Sequence, residues 1–197
     1  MATTRIFIDF WNFQLSVIQL MGKTYRADWL KLSPWLVNQA QSLTRNLLDH
    51  IETRVYLSYN PRAIEDRRLK DWALNTLDKF PGVRVVATER KLKHAPFCPV
   101  CHNQVQTCPH CGNSMIGTIE KGVDTAIVTD MFSLAWENAW EVAILLSSDR
   151  DFIPAVEMFN RKGLRVINAH FPPAGMELAR LCWASIDLHV ALQDISR

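Results

Sequence analysis

The chain has 197 residues, 48% of them apolar, and a formal charge of +2 from 22 Lys and Arg against 20 Asp and Glu. That length supports one substantial core with a small appendage and excludes two domains of ordinary size. A charge so near balance excludes a polycationic surface, so any grip on a polyanion must come from local clusters of Lys and Arg.

The opening MATTRIFIDFWNF lacks the apolar run of a signal peptide, and no stretch approaches the roughly 20 apolar residues that cross a bilayer. A cytoplasmic protein with no membrane partner is expected. Runs rich in β-branched residues at 5–10, 53–59, 83–89, 141–148 and 164–170 alternate with helical stretches, the pattern of βαβ units around a parallel sheet. Their near-continuous hydrophobicity implies cover on both sheet faces.

After the second strand, Asn60-Pro61 supplies a capping side chain and a first-turn proline, and Pro81-Gly82 punctuates the exit, which predicts a crossover helix over 61–80. Residues 91–117 break the rhythm with cysteine, proline, glycine and polar residues and read as an insertion within a single domain of residues 1–197. Over 121–139, Val123, Ile127, Met131 and Leu134 recur at steps of four and three, so a helix buries that face and carries Asp124 in its first turn. A short helix follows the fourth strand, with Pro154 near its start and Gly163 at its end. The tail 172–197 reads as helical cover for a sheet face, and Trp72, Trp136, Trp183 and Cys182 are expected in the core. No internal repeat or domain-separating linker is evident.

In an open parallel sheet, ligands bind beyond the carboxyl ends of the strands where the strand order reverses. Asp9 closes the first strand, Asp149 and Asp151 follow the fourth, and Asp124 reaches the same edge from its helix. Converging carboxylates repel, and a hard divalent cation such as Mg²⁺ or Mn²⁺ makes the cluster tolerable while activating water and stabilising charge on a phosphoryl oxygen. Each acid taken singly has an alternative as a helix cap or turn former. Asn12 either positions water or phosphate or caps the following helix. Asp130 lies off the face of Asp124 and is expected at the surface or in support.

Cys98-Pro-Val-Cys101 and Cys108-Pro-His-Cys111 form two CxxC pairs separated by six residues, the spacing of a four-thiolate zinc site. Four cysteines leave no open position for water, so this Zn²⁺ is structural; a redox pair and an iron–sulfur cluster rank below it.

These residues resemble the NYN family of PIN-like nucleases: IDFWN on the first strand, KGVD before a long helix and SDRDFIPAV after the next strand stand in the family's order. The resemblance spans roughly residues 5 to 170. It implies an α/β fold, a PIN-like Rossmannoid three-layer sandwich on a mainly parallel five-stranded sheet of order 3-2-1-4-5. It also implies metal-dependent ribonuclease activity, with Asp9, Asp124 and Asp149 as Mg²⁺ or Mn²⁺ ligands, Asp151 as the additional acid and Asn12 as the polar residue after the first strand. Phe10-Trp11 and Arg150 depart from the small residues usual at those places, which bears on substrate choice.

Arg90, Lys91 and Lys93 lead into the insertion and, with Arg150 and Trp11, are the candidate RNA contacts; a solvated strand edge is the alternative for the lysines. Single-stranded RNA is the expected partner, with a homodimer left open. A catalytically silent RNA- or protein-binding module that uses the zinc knuckle as its contact surface is the rival function. Another acid-rich Rossmannoid ranks last, because neither a glutamate after the first strand nor a DxDx[TV] motif is present.

Overall fold

The structure is a computed structural model that describes residues 1–197. Its first strand, β1 (Ala2–Asp9), sets the architecture: Ile6 and Ile8 point to one side and Phe7 to the other, and all three are completely buried. A strand apolar on both faces must lie inside a sheet covered twice over.

It does so as the third member of six parallel strands. The others are β2 (Leu48–Tyr59), β3 (Val83–Glu89), β6 (Val142–Leu146), β7 (Arg165–His170) and β8 (Ala184–Asp187), in the order β3-β2-β1-β6-β7-β8. Two short strands, β4 (Lys91–Lys93) and β5 (Gly117–Ile119), pair antiparallel at the base of the insertion. The α/β class and parallel sheet match the expectation, but the sheet has six strands rather than five, and its order runs one strand further. The added strand β8 lies in the tail expected to be helical. Only Ile186 of its four residues is buried; this edge strand alternates apolar and polar residues, but over too few positions to stand out in the sequence.

On one face, Ile6, Ile8, Val55 and Leu57 meet α1 (Phe10–Met21) through Phe13 and Val17, α2 (Trp29–Thr44) through Leu32 and Leu36, and α3 (Ile64–Asn75) through Ala73. The C-terminal α7 (Ala191–Asp194) closes this layer with Leu192. On the other face, Phe7, Ala143, Leu145 and Val166 pack against α4 (Val123–Trp136), α5 (Ile153–Arg161) and α6 (Met176–Ala179). Val123, Ile127, Met131 and Leu134 are the buried residues of α4, as their spacing requires. Truncating a fully buried core leucine such as Leu36 to alanine is expected to cost about 2–5 kcal/mol.

Several local expectations are corrected. The crossover helix begins at Ile64, because Asn60 and Pro61 form a turn in which the Asn60 carbonyl accepts from the Ala63 amide at 3.1 Å and its side chain accepts from Arg62 N at 3.0 Å. Trp136 is 90% exposed at the end of α4, whereas Trp140 takes the core position and donates to the Met131 carbonyl at 3.0 Å. Trp183 lies at the surface under Arg165, whose guanidinium carbon is 4.3 Å from the ring centre. Cys182, half-buried in a turn after α6 rather than within a helix, does pack against the core as expected. Asp130 accepts from Arg54 and from the Tyr56 hydroxyl, each at 2.7 Å, and Glu52 joins Arg54 to Arg5; these ties between β2 and α4 fix the helix's rotation, and with it the place of Asp124. No helix is long and apolar enough to cross a membrane.

Candidate functional site

The strand order reverses between β1 and β6, and side-chain bonds lace the carboxyl ends of these two strands together. Asp9, 6% exposed, caps α1 by accepting from the Asn12 amide at 3.2 Å. Its second oxygen accepts from the Ser147 hydroxyl at 3.3 Å, and Ser147 in turn accepts from the Asp149 amide at 3.2 Å. The Asn12 side chain accepts from the Ser148 amide at 2.9 Å. Asn12 therefore braces the β6 loop, while Asp9 does the capping. Asp149 caps the single 3₁₀ turn Arg150–Phe152 by accepting from the Asp151 amide at 2.9 Å. Capping and convergence thus coexist in the same carboxylates.

Asp9, Glu120, Asp124, Asp149 and Asp151 lie near enough for their charges to bear on one another. Burial pushes the Asp9 carboxyl up to about 6, and the charges of Asp124 and Glu120 add to that rise against the opposing hydrogen bonds from Asn12 and Ser147. Asp124 sits just past Gly122, whose φ of +91° turns the chain into α4; its carboxyl is raised by burial and then by Asp149, Glu120 and Asp151. An isolated cluster of this kind resists full ionisation.

Glu120 is the acid that sequence reasoning passed over. It follows β5 at the exit of the insertion, accepts from the Ser58 hydroxyl and lies 3.9 Å from Arg90. The one available signal was its place directly before KGVD. Arg90 is held rather than free: it donates to Ser58 Oγ at 2.9 Å, lies 3.7 Å from Asp66 and stacks 5.0 Å above the Trp11 ring. Trp11 donates to the Ser58 carbonyl at 2.7 Å. Lys91, Lys93 and Arg150 are exposed.

No three His, Cys, Asp or Glu side chains are gathered closely enough to hold one metal ion. The chemistry of the acidic set still fits a hard cation: every donor is a carboxylate oxygen, and the charge that burial and mutual repulsion now oppose is what a divalent ion relieves. Coordination requires the side chains to turn inward.

The cysteine insertion is built from two like loops, CPVCHN at 98–103 and CPHCGN at 108–113, a C-P-x-C-x-N repeat that goes beyond the two CxxC pairs. Cys98 N donates to Asn103 O at 2.8 Å, His102 N to Cys98 O at 2.9 Å and Val105 N to Pro96 O at 2.8 Å. Ten residues on, Cys108 N to Asn113 O, Gly112 N to Cys108 O and Met115 N to Gln106 O repeat the same distances. Residues His102 and Gly112 take the same left-handed turn, at φ of +57° and +69°. In each loop, backbone amides lower the first thiol: those of Cys101 and Val100 act on Cys98, and those of Cys111 and His110 on Cys108. Amides donating to sulfur stabilise thiolates, so each loop suits a soft cation.

A solved structure of a protein of unknown function from Vibrio parahaemolyticus is similar, at 16% sequence identity and a TM-score of 0.54, covering 100% of this chain and 96% of that one. That likeness concerns the fold. No curated protein matches the chain. The NYN domain model matches residues 3–189, which takes in all of β1 but Ala2, together with KGVD and SDRDF, and stops just before α7. The chain therefore belongs to the NYN domain family and is nuclease-like in its general class.

Proposed function

We propose that the protein is a metal-dependent ribonuclease that cuts single-stranded RNA internally. The supporting observation is the cluster at the β1/β6 switch point, where the buried Asp9 is pushed up to about 6 and feels the charges of Asp124 and Glu120. Asp9, Asp124 and Asp149 would hold Mg²⁺ or Mn²⁺, with Asp151 and Glu120 at the margin. Held there, such an ion would supply Lewis-acid stabilisation of phosphoryl charge and a water of lowered pKa. The chain's own residues supply position: Asn12 fixes the Asp149 loop, Ser147 spaces Asp9 from Asp149, and Ser58 with Arg90 orients Glu120. Cys98, Cys101, Cys108 and Cys111 would hold a structural Zn²⁺ that shapes the insertion, and Lys91, Lys93 and Arg150 offer free cations to phosphate.

The test is cleavage of a labelled oligoribonucleotide with Mn²⁺, by wild type and by Asp149→Asn. Cleavage by the first and none by a folded second supports the assignment; equal rates end it. One observation favours a second reading, a binding module without turnover: the carboxylates are not gathered to hold an ion. RNA bound tightly yet intact after prolonged incubation with metal would establish that reading instead.

A further inference from the structure

Two clefts flank the acids along the carboxyl edge of the sheet. The first, about 400 Å³, lies beyond β2 and β3 and is lined by Asn60, Arg62, Arg90, Lys91 and Thr118. The second, about 540 Å³, lies beyond β6 and β7 and is lined by Ser148, Asp149, Arg150, Gly175, Glu177 and Arg180. In the order β3-β2-β1-β6-β7, the acids at β1 and β6 stand between them. The clefts are three strand spacings apart, about 14 Å at the usual separation of parallel neighbours.

Both clefts share a wall with the acidic site. Arg90 lines the first on one side, and on the other reaches Ser58, Glu120 and Trp11. Asp149 belongs to the second outright. In the first, Arg62 and Lys91 are exposed and engaged in no ion pair, and only Glu89 opposes them. In the second, Arg150 and Arg180 are exposed, and the buried Ser148 hydroxyl has no partner within the protein. The second cleft is also tightly built: Gly175 has φ of +78°, and a Cβ there would stand 3.0 Å from both Ser148 Cα and His170 Cβ. No larger residue fits without moving that wall.

We infer that the two clefts are successive binding subsites for the phosphodiester backbone of one RNA strand, which crosses the sheet edge from β3 to β7 and passes over the acids midway. The inference rests on the ribonuclease reading for the nature of the polyanion. Its content is separate: a track open at both ends with cations at each, so that neither a 5′ nor a 3′ terminus is needed. A strand so placed has phosphates in both clefts at once, and an oligonucleotide too short to span them grips only one.

Binding is measured first in EDTA, with fluorescent single-stranded RNA of increasing length. Affinity is expected to rise steeply until the strand spans both clefts, and to flatten beyond. The double variant Arg62→Glu/Lys91→Glu is expected to bind at least about tenfold more weakly and to lose about 1.4 from the slope of log K against log salt, at about 0.7 per phosphate contact. Arg180→Glu is expected to lose about 0.7. Methylphosphonate RNA, with its backbone charge removed, repeats the test on the unaltered protein and keeps it decisive should a variant misfold. Unchanged affinity for the variants, or for the neutral backbone, overturns the track. With Mn²⁺, a covalently closed circle should be cut as fast as its linear form, and a requirement for an end overturns it equally. Single-stranded DNA is the parallel arm, and equal binding assigns the track to the shared backbone rather than to ribose. Charge-dependent binding without any metal-dependent cleavage upholds the track and refutes the nuclease. Cleavage of linear RNA with charge-insensitive binding does the reverse.

Discussion

The two candidate metal centres are built in opposite ways. The acidic one stands on the tips of core strands, where Ser147, Asn12 and the caps of two helical segments hold it to completely buried neighbours such as Ile8 and Leu145. The cysteine one stands on 27 residues, 91–117, of which Ala95 alone is buried. A loop without a core cannot meet the entropy of its own ordering. On the proposed reading, the fold at the sheet edge would come first and an ion would complete it, whereas in the insertion binding free energy would be folding free energy.

The largest effect that tests this contrast is on turnover. Asp149→Asn is expected to lower cleavage by about a thousandfold, equivalent to about 4 kcal/mol of transition-state stabilisation, with circular dichroism and melting temperature scarcely altered. A comparable loss accompanied by unfolding would show that the acidic edge is not preformed.

Next comes the insertion. Stripping zinc with a strong chelator, or replacing Cys108 with serine, is expected to abolish hydrogen-exchange protection over 96–115 while the sheet keeps its own. The apparent binding energy of a structural zinc is about 10–16 kcal/mol, ample to order so short a segment. Global unfolding on chelation would dissolve the distinction.

A smaller effect concerns pH. Asp9 in the folded, metal-free protein is pushed up to about 6 from an ordinary 3.8, so its favourable contribution is fully present below about pH 4 and is lost as pH rises through 6. At pH 7.5 the buried charge costs about 3 kcal/mol before the loss of its cap is counted. In EDTA, Asp9→Asn should therefore melt above wild type at pH 7.5 and no higher at pH 4. Adding Mg²⁺ should raise only the wild type. Melting curves at the two pH values check the sign.

The slightest perturbation is chemical. Burial pushes the Cys182 thiol up to about 12, whereas Cys98 and Cys108 are lowered. With zinc removed, the insertion's thiols should react promptly with a thiol reagent and Cys182 only on denaturation, as mass spectrometry would resolve.

Much of the sheet edge was legible because it follows from period and position. Buried strands read as apolar runs, Val123 to Leu134 as a stripe, and strand-terminal acids as a class. What escaped depended on contacts between distant segments. Glu120 acquires meaning only when Ser58 and Arg90 arrive beside it, and Arg90 looks free until Asp66 and Trp11 enclose it. Trp136 has an apolar character that its position at a helix end overrules, and β8 is too short for its alternation to stand out. The ten-residue offset between the cysteine loops could be read from CPVCHN and CPHCGN, but the left-handed turn shared by His102 and Gly112 could not, since the two residues have no chemistry in common.

The central place of β1 has a consequence for biosynthesis. Its one edge is taken by β2 within the first 59 residues, but its other edge waits for β6, which begins at Val142. At 5–20 residues per second, a ribosome leaves that edge bare for on the order of ten seconds, and every residue of the insertion prolongs the interval. Thr4–Ile8 is then an open template for a stranger's strand, so misassembly in crowded expression hosts should begin there, and slower growth or chaperone supply should relieve it.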